Sequence, residues 1–199
     1  MPEAETGTAA APAWLGHVQD TEGWLSLDEA RWLHTLASRV ETGCIVEVGA
    51  YRGRSTIALS AGSPEGVPVF SIDPHAEMWA DGKLAYAGPA DRAAFFQAMT
   101  RSGAWHNVAL LNTTSDVLAP GWDRPIGLLW IDGDHSEAGV RADWKAWRPH
   151  LCPGATVVFD DAHDPNVGPY HLIAELIESG QIEHLKNVGK VRSVVFKGA

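Results

Sequence analysis

Cysteine is scarce in this 199-residue chain, which has two, Cys44 and Cys152. Two thiols cannot build a disulfide framework. One lies inside an apolar run and the other just before Pro153-Gly154, positions that suit buried thiols in a reducing compartment. Positive charge is also in deficit: 15 Lys and Arg stand against 25 Asp and Glu, a formal net charge of -10. Phosphate recognition needs a basic surface, so a general nucleic-acid binder and an anionic-membrane binder are excluded. No run of about 18 apolar residues occurs, and no basic stretch leads into an apolar one, so neither a membrane span nor a secretory signal is expected. The expected address is the cytoplasm and the expected partner a small molecule; composition leaves homo-oligomerisation open.

What is present is a chain with 45% hydrophobic residues, enough for one core and too short for two ordinary domains. Residues 1–13 are small, Pro-containing and aperiodic, and are read as a mobile tail before a single domain over 14–199. Ser26 followed by Glu29 forms a capping-box pattern, and Leu33, Leu36, Ala37 and Val40 recur at helical spacing, predicting a helix near 27–40. Short apolar runs at 44–48, 69–73, 107–111, 126–132 and 155–160 then alternate with helical stretches starting near Arg54, Ala90, Ser136 and Pro169. This alternation predicts an α/β fold: a doubly wound, mostly parallel seven-stranded sheet, closed by an antiparallel edge hairpin from the runs at 182–186 and 191–197. Val140, Trp144, Trp147 and Leu151 fall on one stripe, so these tryptophans are assigned to the core.

In open α/β sheets, ligands bind beyond the carboxyl ends of the strands. The loop after the first strand reads EVGAYRGRST, Glu47 to Thr56. Gly49 and Gly53 are four apart, which is neither the dinucleotide fingerprint nor a phosphate-binding P-loop. At the tip of the second strand, Asp73 can accept hydrogen bonds from two ribose hydroxyls, so a nucleoside ligand without a pyrophosphate fits. Glu47 lies within an apolar strand, where an unpartnered carboxylate is costly and a specific partner is expected.

Two further strand tips are acidic. WIDGDHS ends the fourth strand at Asp132, and FDDAHD ends the fifth at Asp160 and Asp161. Carboxylates crowded into one crevice repel unless one is protonated or a cation joins them, and all-oxygen ligation favours Mg²⁺, Mn²⁺ or Ca²⁺.

VEVGAYRGRSTIAL followed by VFSIDPH resembles the first two motifs of class I S-adenosylmethionine-dependent methyltransferases. IGLLWIDGDHSEAGVRADWKAWRPHLCPGATVVFDD is similar to the fourth-to-fifth-strand region of the small metal-dependent branch, which includes macrocin-type sugar O-methyltransferases and, more distantly, catechol-type enzymes. The resemblance implies S-adenosylmethionine and a divalent ion as cofactors. It implies Glu47 and Gly49, with Tyr51 and Ser55, at the methionine end of the cofactor, Asp73 on the ribose, Thr114 and Ser115 on the adenine side, and Asp132 at the reacting centre. Asp132, Asp160 and Asp161 are the implied metal ligands. The base falls two or three residues after the first of them, so Asp134 and His135 compete, and His135 is favoured because its ordinary pKa lies near working pH. A sugar or aminosugar hydroxyl is the expected acceptor, with a phenolic, catechol or amine acceptor as the alternative. A metal-dependent hydrolase or phosphotransferase, or a silent cofactor-binding protein, are the readings from other classes. Residues 75–88, with Trp79 and Tyr86, and residues 14–24 are candidates for a lid or substrate wall, as are Tyr170 and His171.

Overall fold

The structure is a computed structural model that describes residues 11–80 and 83–198. Two helices lead the chain, α1 (Ala13–Gln19) and α2 (Leu27–Ala37). The capping box at the start of α2 is formed as read: the Ser26 hydroxyl accepts from the Glu29 amide, and the Glu29 carboxylate accepts from the Ser26 amide. Helix α1 begins at Ala13, and residues 1–10 of the expected tail lie outside the described residues.

The sheet then builds through β1 (Cys44–Val48), α3 (Arg54–Gly62), β2 (Val69–Ile72), a small hairpin β3 (Glu77–Ala80) and β4 (Lys83–Ala87), and α4 (Pro89–Ser102). It continues with β5 (Val108–Leu111), α5 (Ser115–Leu118), β6 (Ile126–Ile131), α6 (Glu137–Trp147), β7 (Leu151–Phe159), α7 (Gly168–Glu178), β8 (Ile182–Val188) and β9 (Val191–Phe196). The seven strands run in the order β5-β2-β1-β6-β7-β9-β8. The first five are parallel, and β9 runs against both of its neighbours. The closing hairpin is therefore present, with one refinement: β9 inserts next to β7, and β8 forms the edge.

Side chains alternate across the sheet and divide the core into two layers. Ile45, Leu128, Trp130 and Val158 face α2, α3 and α4, where Leu33, Ile57, Leu59, Phe95 and Met99 are buried. Val46, Val48, Leu129, Ile131, Val157 and Phe159 face Val140, Trp144, Trp147, Leu172 and Leu176 of α6 and α7. Full burial of each such side chain is worth roughly 1.5–3 kcal/mol. Trp144 and Trp147 are core residues, as the stripe predicted. Among the described residues, no helix is long and apolar enough to cross a membrane.

The sheet changes winding direction between β1 and β6, the place where open α/β sheets leave a crevice. Register puts the strand ends there level. Val48 pairs with Ile72 on one side and Ile131 on the other, and Ile131 pairs with Phe159. The ladder carries on one residue further: the Gly49 amide donates to Ile72, Asp132 to Val48 and Asp160 to Ile131, at 2.9, 2.9 and 3.1 Å. Asp73, Gly49, Asp132 and Asp160 therefore form one row across four neighbouring strands.

Gly49 is essential to that row. Its φ is +89°, and a Cβ there would lie 2.1 Å from the Asp132 carbonyl oxygen. Gly49→Ala should lower the unfolding free energy in urea by about 3 kcal/mol, because overpacking against rigid backbone adds to the cost of a left-handed φ. A loss below about 1 kcal/mol would mean that the two strand ends do not depend on this contact.

Candidate active site

The loop after β1 is held from below by Glu47. Ile45 and Glu47 share a strand face, so the Glu47 side chain projects toward α3 and is fully buried. Ser55 and Thr56 of α3 and Ser71 of β2 donate their hydroxyls to it at 2.5, 2.6 and 2.6 Å. Burial pushes the Glu47 carboxyl above its ordinary pKa, and the three hydroxyl bonds oppose that shift. The partner expected for this carboxylate is thus internal. Glu47 and the Ser55 hydroxyl are paired with each other and brace the loop from inside the domain.

Asp73 is set for a different task. Its Oδ2 accepts from the Tyr51 amide and its Oδ1 from the His75 amide, both at 2.7 Å. One acceptor direction on each oxygen is left, which matches a vicinal diol. Tyr51 and His75 both have positive φ, 45° and 44°. The strain is held by the two amide bonds to Asp73 and by a 2.7 Å contact between His75 Nε2 and the Tyr51 carbonyl. That contact makes Nε2 the protonated nitrogen. Asn112, absent from the sequence reading, donates to the Asp73 carbonyl at 2.8 Å. The Tyr51 ring stacks on Trp24 and meets Tyr86 edge-on, with centroids 5.3 and 5.6 Å apart. Burial raises the Tyr86 hydroxyl pKa, and the charges of Asp132 and Asp73 add to it. Tyr86 is on β4. The Asp81-Gly82 dipeptide between two short apolar runs is the hairpin signal in the sequence that the lack of period in 75–88 obscured. Residues 81–82 of that stretch and the Trp79 side chain lie outside the described residues.

The adenine-side expectation splits. Thr114 is exposed at the head of α5. Ser115 is buried, and its hydroxyl accepts from Trp147 Nε1 at 3.0 Å and donates to Asp143. Its side chain joins α5 to α6.

On the β6 and β7 side, Asp132, His135 and Asp160 each offer one donor atom within 4.8 Å of the others. His135 Nε2 lies 3.2 Å from Asp132 Oδ1, and its Nδ1 lies 2.8 Å from Asp161 Oδ2. Asp161 has φ +48° and stands beside the converging trio, with its Oδ2 on His135 Nδ1 and its Oδ1 facing the Lys190 ammonium. Asp160 is 2% exposed, and among the described residues its Oδ1 has no hydrogen-bond partner. A buried carboxylate oxygen left unpaired, beside a second carboxylate and an imidazole, is a donor set that fits a divalent cation. Burial raises the Asp132 carboxyl well above the usual range, against the hydrogen bond from His135 and with a further push from Asp160. His135 is shifted upward in turn, chiefly by its bond to Asp132. The repulsion expected among three carboxylates is already offset in part by a residue the sequence did not point to: Lys190 Nζ is 2.5 Å from Asp160 and 3.2 Å from Asp161.

Asp134 is committed elsewhere. It accepts from the Ser136 amide and hydroxyl at 2.8 and 2.9 Å and packs against Gly139, shaping the turn into α6. The loop is pinned at His135 as well, whose carbonyl accepts from the Gly168 amide at the head of α7. Asp164 closes an exposed turn on Asn166, Tyr170 lies under Arg192, and His171 contacts the Pro165 carbonyl. The two arginines of the Gly49 loop are also engaged, Arg52 by Asp91 and Glu22, and Arg54 by the carbonyls of Val18, Thr21 and Leu25. Neither is available to cradle a phosphate.

Glu47→Ala strands three buried hydroxyls and should cost on the order of 3–5 kcal/mol of unfolding free energy at neutral pH. A carboxyl whose pKa is raised on folding takes up a proton more readily in the folded state, so its charge weakens the fold above the unfolded value. That cost is relieved as pH falls through the folded value. Glu47→Gln cannot titrate, so urea unfolding from neutral to acid pH should show wild type gaining on this variant as pH falls. A difference independent of pH would contradict the burial argument.

A family model described as a methyltransferase domain matches residues 46–162, more than half of the chain. Among solved structures, the chain is similar to the O-methyltransferase TomG from Streptomyces achromogenes, involved in tomaymycin synthesis and determined in complex with SAM. The identity is 17%, over 94% of this chain and 91% of that one, with a TM-score of 0.70. It is also similar to an O-methyltransferase from Bacillus cereus in complex with SAH, at 17% identity over 95% and 93% of the two chains with a TM-score of 0.70. The SAH-bound methyltransferase PaMTH1 of Podospora anserina matches at 18% identity over 94% and 89%, with a TM-score of 0.67. The matched residues run from β1 through the strand-end row to the acidic site: the chain belongs to the methyltransferase-domain family and has the fold of class I S-adenosylmethionine-dependent methyltransferases.

Proposed function

We propose that this methyltransferase is a divalent-cation-assisted O-methyltransferase that uses S-adenosylmethionine to modify a small hydroxylated natural product, a sugar or aminosugar moiety. The observation that carries the reading is the row of strand ends. A diol-binding carboxylate, a loop without a side chain and two metal-competent carboxylates stand side by side, with an imidazole next to the pair. The SAM and SAH held by the structural neighbours support the cofactor, and the macrocin-type resemblance supports the acceptor class.

S-adenosylmethionine, when bound, supplies a sulfonium methyl group already activated for in-line transfer. Asp73 receives the ribose hydroxyls on its two remaining acceptor directions. Gly49 allows the backbone to come close to the methionine end. Asp132 and Asp160 would hold a divalent ion, Mg²⁺ or a similar hard cation such as Mn²⁺ or Ca²⁺, which would supply Lewis acidity to lower the pKa of the acceptor hydroxyl. Released from its contact with Asp132, His135 Nε2 would take the acceptor's proton, and Asp161 on Nδ1 fixes the tautomer and the ring plane. Asp134, tied into its turn, is the weaker base candidate. Trp24, Tyr51 and Tyr86 form an aromatic wall against which a sugar or aromatic ring can lie. A reducing, cytoplasmic setting accords with the two free thiols.

The place of His135 within 4.8 Å of both carboxylates favours one second reading, in which it is a metal ligand and not the base. A phosphotransferase is opposed by the engagement of Arg52 and Arg54.

Calorimetry with S-adenosylhomocysteine tests the core of the proposal: binding should persist in EDTA, and an absence of heat with or without Mg²⁺ would sink it. Asp73→Ala should weaken that binding by about tenfold or more, as expected for lost hydrogen bonds to a charged acceptor. Asp160→Asn should abolish transfer and leave cofactor affinity nearly intact. His135→Ala should lower kcat by about 10²–10⁴ with metal affinity retained if it is the base; loss of metal binding instead would make it a ligand.

A further inference from the structure

The acidic site contains its own cation, delivered from the far end of the chain. Lys190 occupies the two-residue turn Gly189-Lys190 between β8 and β9, and its ammonium bridges Asp160 Oδ2 at 2.5 Å and Asp161 Oδ1 at 3.2 Å. Exposed ion pairs contribute little and form readily. This one is different: the side chains of Lys190 and Asp160 are 20% and 3% exposed.

The turn is also held in place. Glu29, 3% exposed, uses one carboxylate oxygen for the capping box of α2 and the other to accept the Lys190 amide at 2.9 Å. Gly189, with φ +55°, leaves room for that contact, because a Cβ would sit 2.2 Å from the same Glu29 oxygen. The N-terminal helix, the closing hairpin and the β7 strand end thus combine to aim one ammonium at the carboxylates.

We propose that Lys190 is a tethered counter-cation that competes with the divalent metal for Asp160 and thereby sets the metal affinity of the site. The inference rests on the reading of Asp132 and Asp160 as metal-holding carboxylates. An ammonium and a dication on one carboxylate repel strongly when partly screened from water. Metal loading therefore requires the Lys190 ammonium to withdraw from Asp160, and loss of the ion lets it return. Without the ion the Lys190 ammonium offsets part of the carboxylate charge, which allows the protein to fold without metal.

The test is Mn²⁺ alone, titrated by calorimetry and by the EPR signal of free Mn²⁺ into full-length wild type, Lys190→Gln, Lys190→Met and Lys190→Arg. Thermal unfolding of each in EDTA verifies a cooperative fold. Removal of the charge should tighten Mn²⁺ binding by about tenfold or more in the Gln and Met variants, a modest fraction of the Coulomb repulsion relieved. The Arg variant, which keeps the charge, should stay within about threefold of wild type on the same argument. Adding Asp160→Asn to Lys190→Gln should abolish the gain, and its persistence would place the ion elsewhere and overturn the inference. Equal or weaker binding in both neutral variants would overturn the competition while leaving the metal reading intact. No Mn²⁺ binding in wild type or any variant would overturn both.

Discussion

Everything functional in this molecule depends on how closely β1 and β6 can approach at their carboxyl ends. Gly49 lies against the Asp132 carbonyl where any Cβ would overlap it. With that contact made, register levels Asp73, Gly49, Asp132 and Asp160 across four strands. A parallel sheet offers this arrangement because every strand points its carboxyl end the same way, and the change in winding direction opens a crevice there. The glycine lets backbone approach backbone, and the neighbouring residues bring the charge.

That charge is handled in two ways on the two sides of the row. Under the β1 loop, Glu47 is buried and accepts from three hydroxyl donors. The arrangement stiffens the loop by saturating the carboxylate, at the cost of a raised pKa. At the β6 and β7 ends, the carboxylates face each other, and an imidazole and an ammonium lean in from separate elements, His135 from the same loop and Lys190 from the closing hairpin. One side is a structural brace and the other is poised for exchange, because an ion or a proton can replace what now balances it.

The periphery supports the same division. Arg54 gathers the carbonyls at the end of α1 and so ties the N-terminal segment to the head of α3. Trp24, 68% exposed, is thereby held above Tyr51, whose own strained backbone is locked through Asp73 and His75. The aromatic wall, the Asp73 carboxylate and the loop are parts of one connected assembly.

The elements themselves were legible in the sequence because their causes are local. Period-two and period-3.6 apolar patterns mark the strands and helices, the Ser26-Glu29 pair marks a helix start, and carboxylates at apolar run ends mark the strand tips. The parallel, doubly wound sheet and the crevice with Asp73, Asp132, His135 and Asp160 follow from that alternation. Partnership was not legible, because it is a matter of direction and distance between residues far apart in the chain. Only the tertiary structure turned Glu47 and Ser55 toward each other and gave Ser115 to Trp147. It also settled Asp134 into its turn, swung Asp161 onto His135, and carried Lys190 on a hairpin held by Glu29, 161 residues away in sequence, into the acidic site. The sequence by itself determined which charges stand at which strand ends; the packing of helices and the closing hairpin decided which of those charges are already answered.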